Sequence, residues 1–201
     1  MTCVRRAALV LAAALALASC APRAPRSDTS SDAPPPGVAP GESLRAFDST
    51  FLDQSGRPVT LASFGGRPVV LAMVYTRCRS TCPRLVADVQ RLESHLTPAQ
   101  RKRTWFVLVS LDPGHDRPDT LAAYAREHRL DADRWRLLTG GGEAVRELAE
   151  LLGVRVREDG DGVLAHSSNI YLLDSAGVVR AATVGVGGDV TRLAAARVAL
   201  P

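Results

Sequence analysis

The chain has 201 residues, a formal net charge of +4 and 46% hydrophobic residues, a composition typical of a globular protein and not of a disordered one. Its 25 basic residues are mostly arginines scattered among 21 acidic residues. The sequence shows no clustered basic stretch of the kind that binds DNA or RNA, so we expect no nucleic-acid partner.

The N-terminus has the pattern of a bacterial export signal. Two arginines precede an apolar run from Ala7 to Ala18, which is shorter than the roughly 20 residues of a spanning helix. The segment Leu17-Ala18-Ser19-Cys20 resembles the lipobox of lipoproteins, in which cleavage precedes the cysteine and its sulfur receives diacylglycerol. We expect residues 1–19 to be a lipoprotein signal peptide and Cys20 to be lipidated. The alternative is an ordinary signal with an incidental cysteine.

Residues 20–41 read CAPRAPRSDTSSDAPPPGVAPG, in which proline, serine and alanine offer nothing to pack. We expect a flexible tether here and one folded domain over residues 42–201. The protein is then predicted in the cell envelope, anchored to a membrane by the lipid and facing the periplasm or extracytoplasmic space.

The first half of the domain predicts strands and helices in alternation. A hairpin is expected over Phe51–Leu61, and the apolar run Val69–Tyr75 is typical of a strand buried on both faces. Apolar residues at helical spacing predict a helix after Pro83. Thr104–Leu111 is a second buried strand, and Asp116 is placed to cap the helix that follows it.

The second half continues the pattern. The expected elements are a short strand over Arg136–Thr139, a helix over Glu143–Leu152, a polar loop over Arg155–Ala165, a hairpin of Asn169–Leu173 and Val178–Ala182, and a final helix capped by Asp189. Strands alternating with helices predict an α/β protein with a central mixed sheet.

Two cysteines stand out in YTRCRSTCPRL. Once the signal is removed and Cys20 lipidated, Cys78 and Cys82 are the remaining thiols, in an oxidising compartment. They could form a structural disulfide, a redox-active dithiol or a pair of metal ligands; a disulfide closing so short a loop would stabilise the fold little. With Pro83 at the first helical position, the helix N-terminus would favour a thiolate at Cys82.

The four histidines differ in their setting. His95 and His128 come late in predicted helices, and His115 lies in a loop, where capping or solvated roles are expected. His166 directly precedes a predicted strand after a glycine-containing loop, so the sheet could carry it toward the cysteines.

Three motifs in order resemble the Sco/SenC family: Tyr75–Pro83, SLDPGHDRPDTLAAYA from Ser110 to Ala125, and AHSSNIYLLDSAG from Ala165 to Gly177. The resemblance extends from about Phe47 to the C-terminus. It implies a thioredoxin-like three-layer sandwich with a central mixed sheet and an extra N-terminal hairpin.

The resemblance also implies a function. Sco proteins are membrane-tethered copper proteins that help to assemble cytochrome c oxidase, and their copper ligands correspond to Cys78, Cys82 and His166. Two thiolates and an imidazole suit Cu(I) and can hold Cu(II). The implied function is a metallochaperone that delivers copper to a respiratory site, the CuA centre of cytochrome c oxidase. The implied partners are the copper-receiving oxidase subunit and a copper donor or thiol reductase.

The alternative function is a thiol–disulfide oxidoreductase that uses Cys78 and Cys82 to keep target cysteines reduced for metalation. Against a general thioredoxin-type reductase, the cysteines are one residue farther apart than in C-x-x-C, and no proline occurs between Pro118 and Pro201. Asp112 and Asp116 match acidic positions of the family motif, and we expect turn and cap roles for them.

Overall fold

A computed structural model describes residues 43–159 and 163–201, so the predicted signal peptide, Cys20 and tether lie outside the described residues. The strands are β1 (Phe51–Asp53), β2 (Pro58–Val59), β3 (Val69–Val74), β4 (Trp105–Ser110), β5 (Trp135–Gly140), β6 (Val156–Asp159), β7 (Val163–His166), β8 (Asn169–Leu173) and β9 (Val179–Val184). The α-helices are α1 (Thr81–His95), α2 (Pro98–Lys102), α3 (Pro118–Glu127), α4 (Gly142–Leu151) and α5 (Val190–Val198). None of these helices combines the length and hydropathy needed to span a bilayer.

Seven strands form one mixed sheet in the order β2-β1-β5-β4-β3-β8-β9. The two apolar runs become β3 and β4, which pair in parallel from Val69 opposite Trp105 to Val74 opposite Ser110. β5 extends the parallel set beside β4, while β1 and β8 join it antiparallel on either side. The prediction of two adjacent, parallel, central strands connected through the cysteine-bearing helix is therefore confirmed.

Aromatic side chains fill both faces of the sheet next to β4. Phe106 stacks on Trp135 with ring centroids 5.0 Å apart, and the Trp135 indole N–H donates to Glu93 of α1. Trp105, one residue earlier in β4, points to the opposite face and packs edge-on against Phe64. Alternation along a single strand thus supplies large apolar groups to both layers.

The first described residues join the sheet at one end. The Leu44 N–H donates to the Gly177 carbonyl, and Ser43 forms an isolated bridge with Val178 beside the turn between β8 and β9. Gly177 has φ +81°, and a β-carbon there would clash with the Arg45 side chain. A short 3₁₀-helix, Leu44–Ala46, then leads to the predicted hairpin, whose strand β1 pairs with β5.

Two predictions need correction. The segment predicted as a polar loop contains the antiparallel pair β6–β7, with Val156 opposite His166; its acidic and glycine residues obscured strands of only four residues each. Helix α1 begins at Thr81, two residues before Pro83, so Pro83 is the third helical residue. Proline is tolerated there because the first four N–H groups of a helix have no intrahelical acceptor.

The last helix matches its prediction. The Asp189 carboxylate accepts from the Thr191 N–H at 3.0 Å and caps α5.

Candidate metal centre

The cysteines lie where β3 ends and α1 begins. The Cys78 N–H donates to the Tyr75 carbonyl at 3.2 Å, which closes a tight turn directly after the strand. Cys82 is the second residue of α1 and is fully buried, whereas Cys78 keeps 8% of its surface exposed. Both thiols are free.

Cys78, rather than Cys82, receives the hydrogen bonds of the helix N-terminus. The Cys82 N–H donates to Cys78 Sγ at 3.2 Å. Burial pushes the pKa of Cys78 upward, but the N–H groups of Cys82, Ser80 and Thr81 outweigh it, and the net pKa lies below that of an ordinary thiol. Burial strongly raises the pKa of Cys82. The prediction of a thiolate at Cys82 is therefore corrected in favour of Cys78.

The β6–β7 hairpin brings His166 to the cysteines. His166 Nε2 lies 3.4 Å from Cys82 Sγ, and His166 Nδ1 lies 3.0 Å from the Ser167 carbonyl oxygen. A carbonyl only accepts, so Nδ1 carries the proton and Nε2 presents its lone pair to the sulfur. Burial lowers the pKa of His166, which favours this neutral form.

Tyr75 holds the hairpin against the cysteine loop, and the sequence analysis did not single it out for this. Its hydroxyl donates to the Leu164 carbonyl of β7 at 2.9 Å, and its ring meets the His166 imidazole edge-on at 5.9 Å. The available signal was a phenol at the end of an otherwise apolar run, because a buried tyrosine hydroxyl usually finds a partner.

Asp112 and Asp116 fix the other side of the cysteine loop. Asp116 is fully buried and accepts from the Thr76 N–H at 3.0 Å, the Thr76 hydroxyl and the Ser110 hydroxyl. Asp112 binds the Arg77 guanidinium at 2.7 Å. The helix cap of α3 is Arg117, so the capping role expected of Asp116 is wrong. Both carboxylates tie the loop to the end of β4.

The other histidines stay away from this cluster. His95 ends α1, His128 follows α3 and stacks on Tyr124, and His115 Nδ1 lies 2.9 Å from an Asp112 carboxylate oxygen. Of the four, only His166 shares a contact with a cysteine in the described part of the chain.

The cluster offers two sulfurs and one imidazole nitrogen as donors. Within residues 43–159 and 163–201, no three His, Cys, Asp or Glu side chains already stand as a closed metal cluster. The three donors form an open arrangement that an incoming ion would complete, and their chemistry fits a soft or borderline metal.

The sequence profile of the SCO1/SenC family matches residues 42–197. The chain belongs to this family. The match includes all the elements that carry the cysteines and His166, together with the β1–β2 hairpin.

Solved structures share the architecture. A SCO1/SenC family lipoprotein from Bacillus anthracis has a TM-score of 0.69 and 25% identity, with 75% of this chain and 91% of that chain covered. ScoI of Arabidopsis thaliana, solved with copper bound, has a TM-score of 0.64 and 20% identity, covering 74% and 92%. BsSco, a member of the Sco family of cytochrome c oxidase assembly proteins in which a disulfide switch was identified, has a TM-score of 0.64 and 26% identity, covering 74% and 88%. The thioredoxin-like fold with a central mixed sheet is thus confirmed.

Proposed function

We propose that this protein is a copper metallochaperone that binds the ion through Cys78, Cys82 and His166. The observation that carries the proposal is the 3.4 Å separation of Cys82 Sγ and His166 Nε2. With metal–sulfur and metal–nitrogen bonds of about 2.3 and 2.0 Å, as at zinc sites, two such ligands on one tetrahedral ion lie about 3.5 Å apart. The two donors therefore stand close to the spacing that a shared ion requires.

Copper fits this donor set better than other common ions. Thiolate sulfur is soft and prefers Cu(I), while the imidazole nitrogen also allows Cu(II). Structural zinc usually takes four protein ligands, and this cluster supplies three. Copper bound to the related ScoI of Arabidopsis thaliana supports the choice of ion.

The apo cluster is prepared for loading in steps. Cys78 is the thiol most easily deprotonated and provides the first ligand. Cys82 faces the unprotonated Nε2 of His166 and must lose its proton to solvent when its sulfur binds. The Ser167 carbonyl holds the imidazole in the tautomer that can ligate. Copper is the cargo, and loading releases thiol protons.

The recipient that we propose is a copper-receiving subunit of a respiratory oxidase, at the CuA centre of cytochrome c oxidase. The assembly of cytochrome c oxidase is the family role named for BsSco. A copper donor or a thiol reductase would load or reduce the site before transfer.

A second candidate function is thiol–disulfide exchange with target cysteines. The lowered pKa of Cys78 favours it, because a thiolate beside a second buried thiol can attack a disulfide and be resolved by its neighbour. The disulfide switch identified in BsSco shows that a Sco protein can form such a bond.

We also propose that residues 1–19 are a lipoprotein signal peptide and that lipid on Cys20 anchors the protein. A flexible tether over residues 20–41 would leave the domain over residues 42–201 on the periplasmic or extracytoplasmic side of a membrane. The lipobox-like sequence and the related Bacillus anthracis lipoprotein support this placement.

Copper titration of the reduced protein tests the function. We expect one copper ion per chain, no tight binding in Cys78→Ser or Cys82→Ser, and weaker binding with a shift toward Cu(I) in His166→Ala, since Cu(I) tolerates two sulfur ligands. Oxidation to a Cys78–Cys82 disulfide should abolish binding because neither sulfur remains a thiolate.

His95→Ala is the matched control, since it removes an exposed imidazole from the last residue of α1. Its copper affinity should equal that of the unmodified chain. Copper affinity that is indifferent to His166→Ala, together with disulfide reductase activity on a protein substrate, would replace the chaperone with the reductase.

A further inference from the structure

A basic surface lies at the end of the sheet opposite the cysteines. We call it the basic rim; it consists of Arg45, Arg67, Lys102, Arg103 and Arg136 around the half-buried Trp105. These residues are distant in sequence, and the fold brings them to the region where β3 and β4 begin.

Trp105 is the centre of the rim. The guanidinium carbons of Arg67 and Arg136 lie 5.1 and 4.8 Å from the centroid of its ring. Arg67 Nη1 also lies 3.4 Å from the Lys102 carbonyl oxygen, which joins the start of β3 to the end of α2. The Arg45 guanidinium lies against Gly65, where a β-carbon would come within 2.7 Å of it.

The charge of the rim is not neutralised by neighbouring acids. Arg45, Arg67, Lys102 and Arg103 are exposed, and none forms an ion pair within residues 43–159 and 163–201. Other arginines near this end do have carboxylate partners, namely Arg57 with Asp53, Arg134 with Glu93 and Asp131, and Arg180 with Asp174. Four exposed cations around an indole form a surface suited to an anionic partner with an apolar boundary.

The position of the rim indicates what that partner is. β3 begins beside the rim at Val69 and ends at Val74 before the cysteine loop, so the two lie roughly 20 Å apart at about 3.3 Å per residue. The described chain begins at Ser43, whose bridge to Val178 is at the rim end of the sheet. A flexible tether of about 22 residues would span roughly 25 Å, so a lipid on Cys20 would hold this end near the headgroups.

We propose that the basic rim binds anionic phospholipid headgroups, with the Trp105 indole at the level of the membrane interface. Cations attract anionic leaflets, and tryptophan favours the interface because its ring is amphipathic. The copper site then points away from the membrane, toward the extramembrane part of a copper-accepting partner. This orientation rests on the proposed lipid at Cys20, whereas the affinity of the rim for anionic lipid does not.

Vesicle binding by a protein without lipid tests the proposal. The chain from residue 20 onward with Cys20→Ser avoids both the acyl anchor and the apolar signal run. We expect it to sediment at low salt with vesicles of equal parts phosphatidylglycerol and phosphatidylcholine, but not with phosphatidylcholine alone. Binding should weaken as salt is raised. Brominated lipid should quench Trp105 and spare the buried Trp135.

Two variants of equal charge locate the binding surface. Changing Arg45, Arg67, Lys102 and Arg103 to glutamine should lower vesicle affinity by at least about 100-fold, because each basic residue near an anionic surface contributes a factor of about five. Changing the exposed Arg84, Arg146, Arg155 and Arg157 to glutamine removes the same charge away from the rim and should weaken binding much less.

The proposal is overturned if the unlipidated protein ignores anionic vesicles at low salt, a result that would leave a protein partner for the rim. Equal losses in the two variants would also overturn it, because binding would then follow net charge alone. Copper titration of the same samples keeps the two proposals separate: the rim variant should still bind one copper ion, since the rim lies far from the cysteines.

Discussion

At the scale of single residues, the two cysteines have opposite acidity although they are four positions apart. Cys78 Sγ sits in the N–H groups at the start of α1, so its pKa falls below the ordinary value. Cys82 is buried beside the neutral His166, and burial raises its pKa. The apo protein therefore holds one reactive sulfur and one protected sulfur.

Alkylation of the reduced apo protein should distinguish them. Iodoacetamide reacts with thiolates, so we expect Cys78 to be modified first, with a rate that rises with pH around a midpoint below that of a free thiol. Cys82 should stay unmodified in the folded protein. Peptide mass spectrometry over a series of pH values measures both rates. Cys78→Ser should leave Cys82 unreactive until urea unfolds the chain; equal rates for both thiols would contradict the assignment.

At the scale of elements, the cysteine loop is held between two neighbours. The Tyr75 hydroxyl fastens it to β7 through the Leu164 carbonyl. Buried Asp116 fastens it to the end of β4 through the Thr76 backbone and the hydroxyls of Thr76 and Ser110. These bonds link segments that carry all three proposed copper ligands, so changes at Asp116 should affect both stability and the geometry of the site.

Asp116→Ala should lower the free energy of unfolding by about 2–4 kcal/mol, because three donors lose their acceptor. Asp116→Asn should cost less than half as much, because the amide oxygen can accept from the Thr76 N–H while the hydroxyls rotate to suit the NH₂ group. Urea unfolding measures the stability, and copper titration should show weaker binding in the alanine variant.

Asp119→Ala is the control for that series. Asp119 is exposed in the first turn of α3 and should cost less than about 1 kcal/mol. Equal stability of Asp116→Ala and Asp119→Ala would mean that the buried carboxylate does not hold the loop.

At the scale of the whole molecule, the domain has two functional ends. The cysteines and His166 lie beyond the carboxyl end of β3, and Ser43 joins the sheet where β3 starts. A tether that enters at one end leaves the other free for a partner. The proposed anchor and the proposed copper site are therefore compatible in one chain.

Replacing Cys20 with serine should move the mature protein from the membrane fraction to the soluble fraction of cells, because the thioether to diacylglycerol cannot form. Immunoblotting of separated fractions measures the distribution. Cys3→Ser is the control, since Cys3 lies inside the proposed signal and its loss should change nothing. Unchanged membrane association of Cys20→Ser would point to an uncleaved anchor.

The sequence by itself determined the elements and nominated the proposed ligands. The apolar runs that became β3 and β4 had to be buried on both faces, and local periodicity placed most helices within a few residues. Cysteine spacing and family motifs singled out Cys78, Cys82 and His166. Short strands such as β6 and β7 escaped because four residues with acidic neighbours carry too little periodicity.

The tertiary structure decided what depends on contacts between distant segments. It placed the thiolate at Cys78, because burial and N–H direction set acidity while sequence distance does not. It also gave Tyr75 a partner 89 residues away and gathered arginines that are scattered along the chain into the basic rim. Such contacts follow from strand order and side-chain direction, which no local pattern encodes.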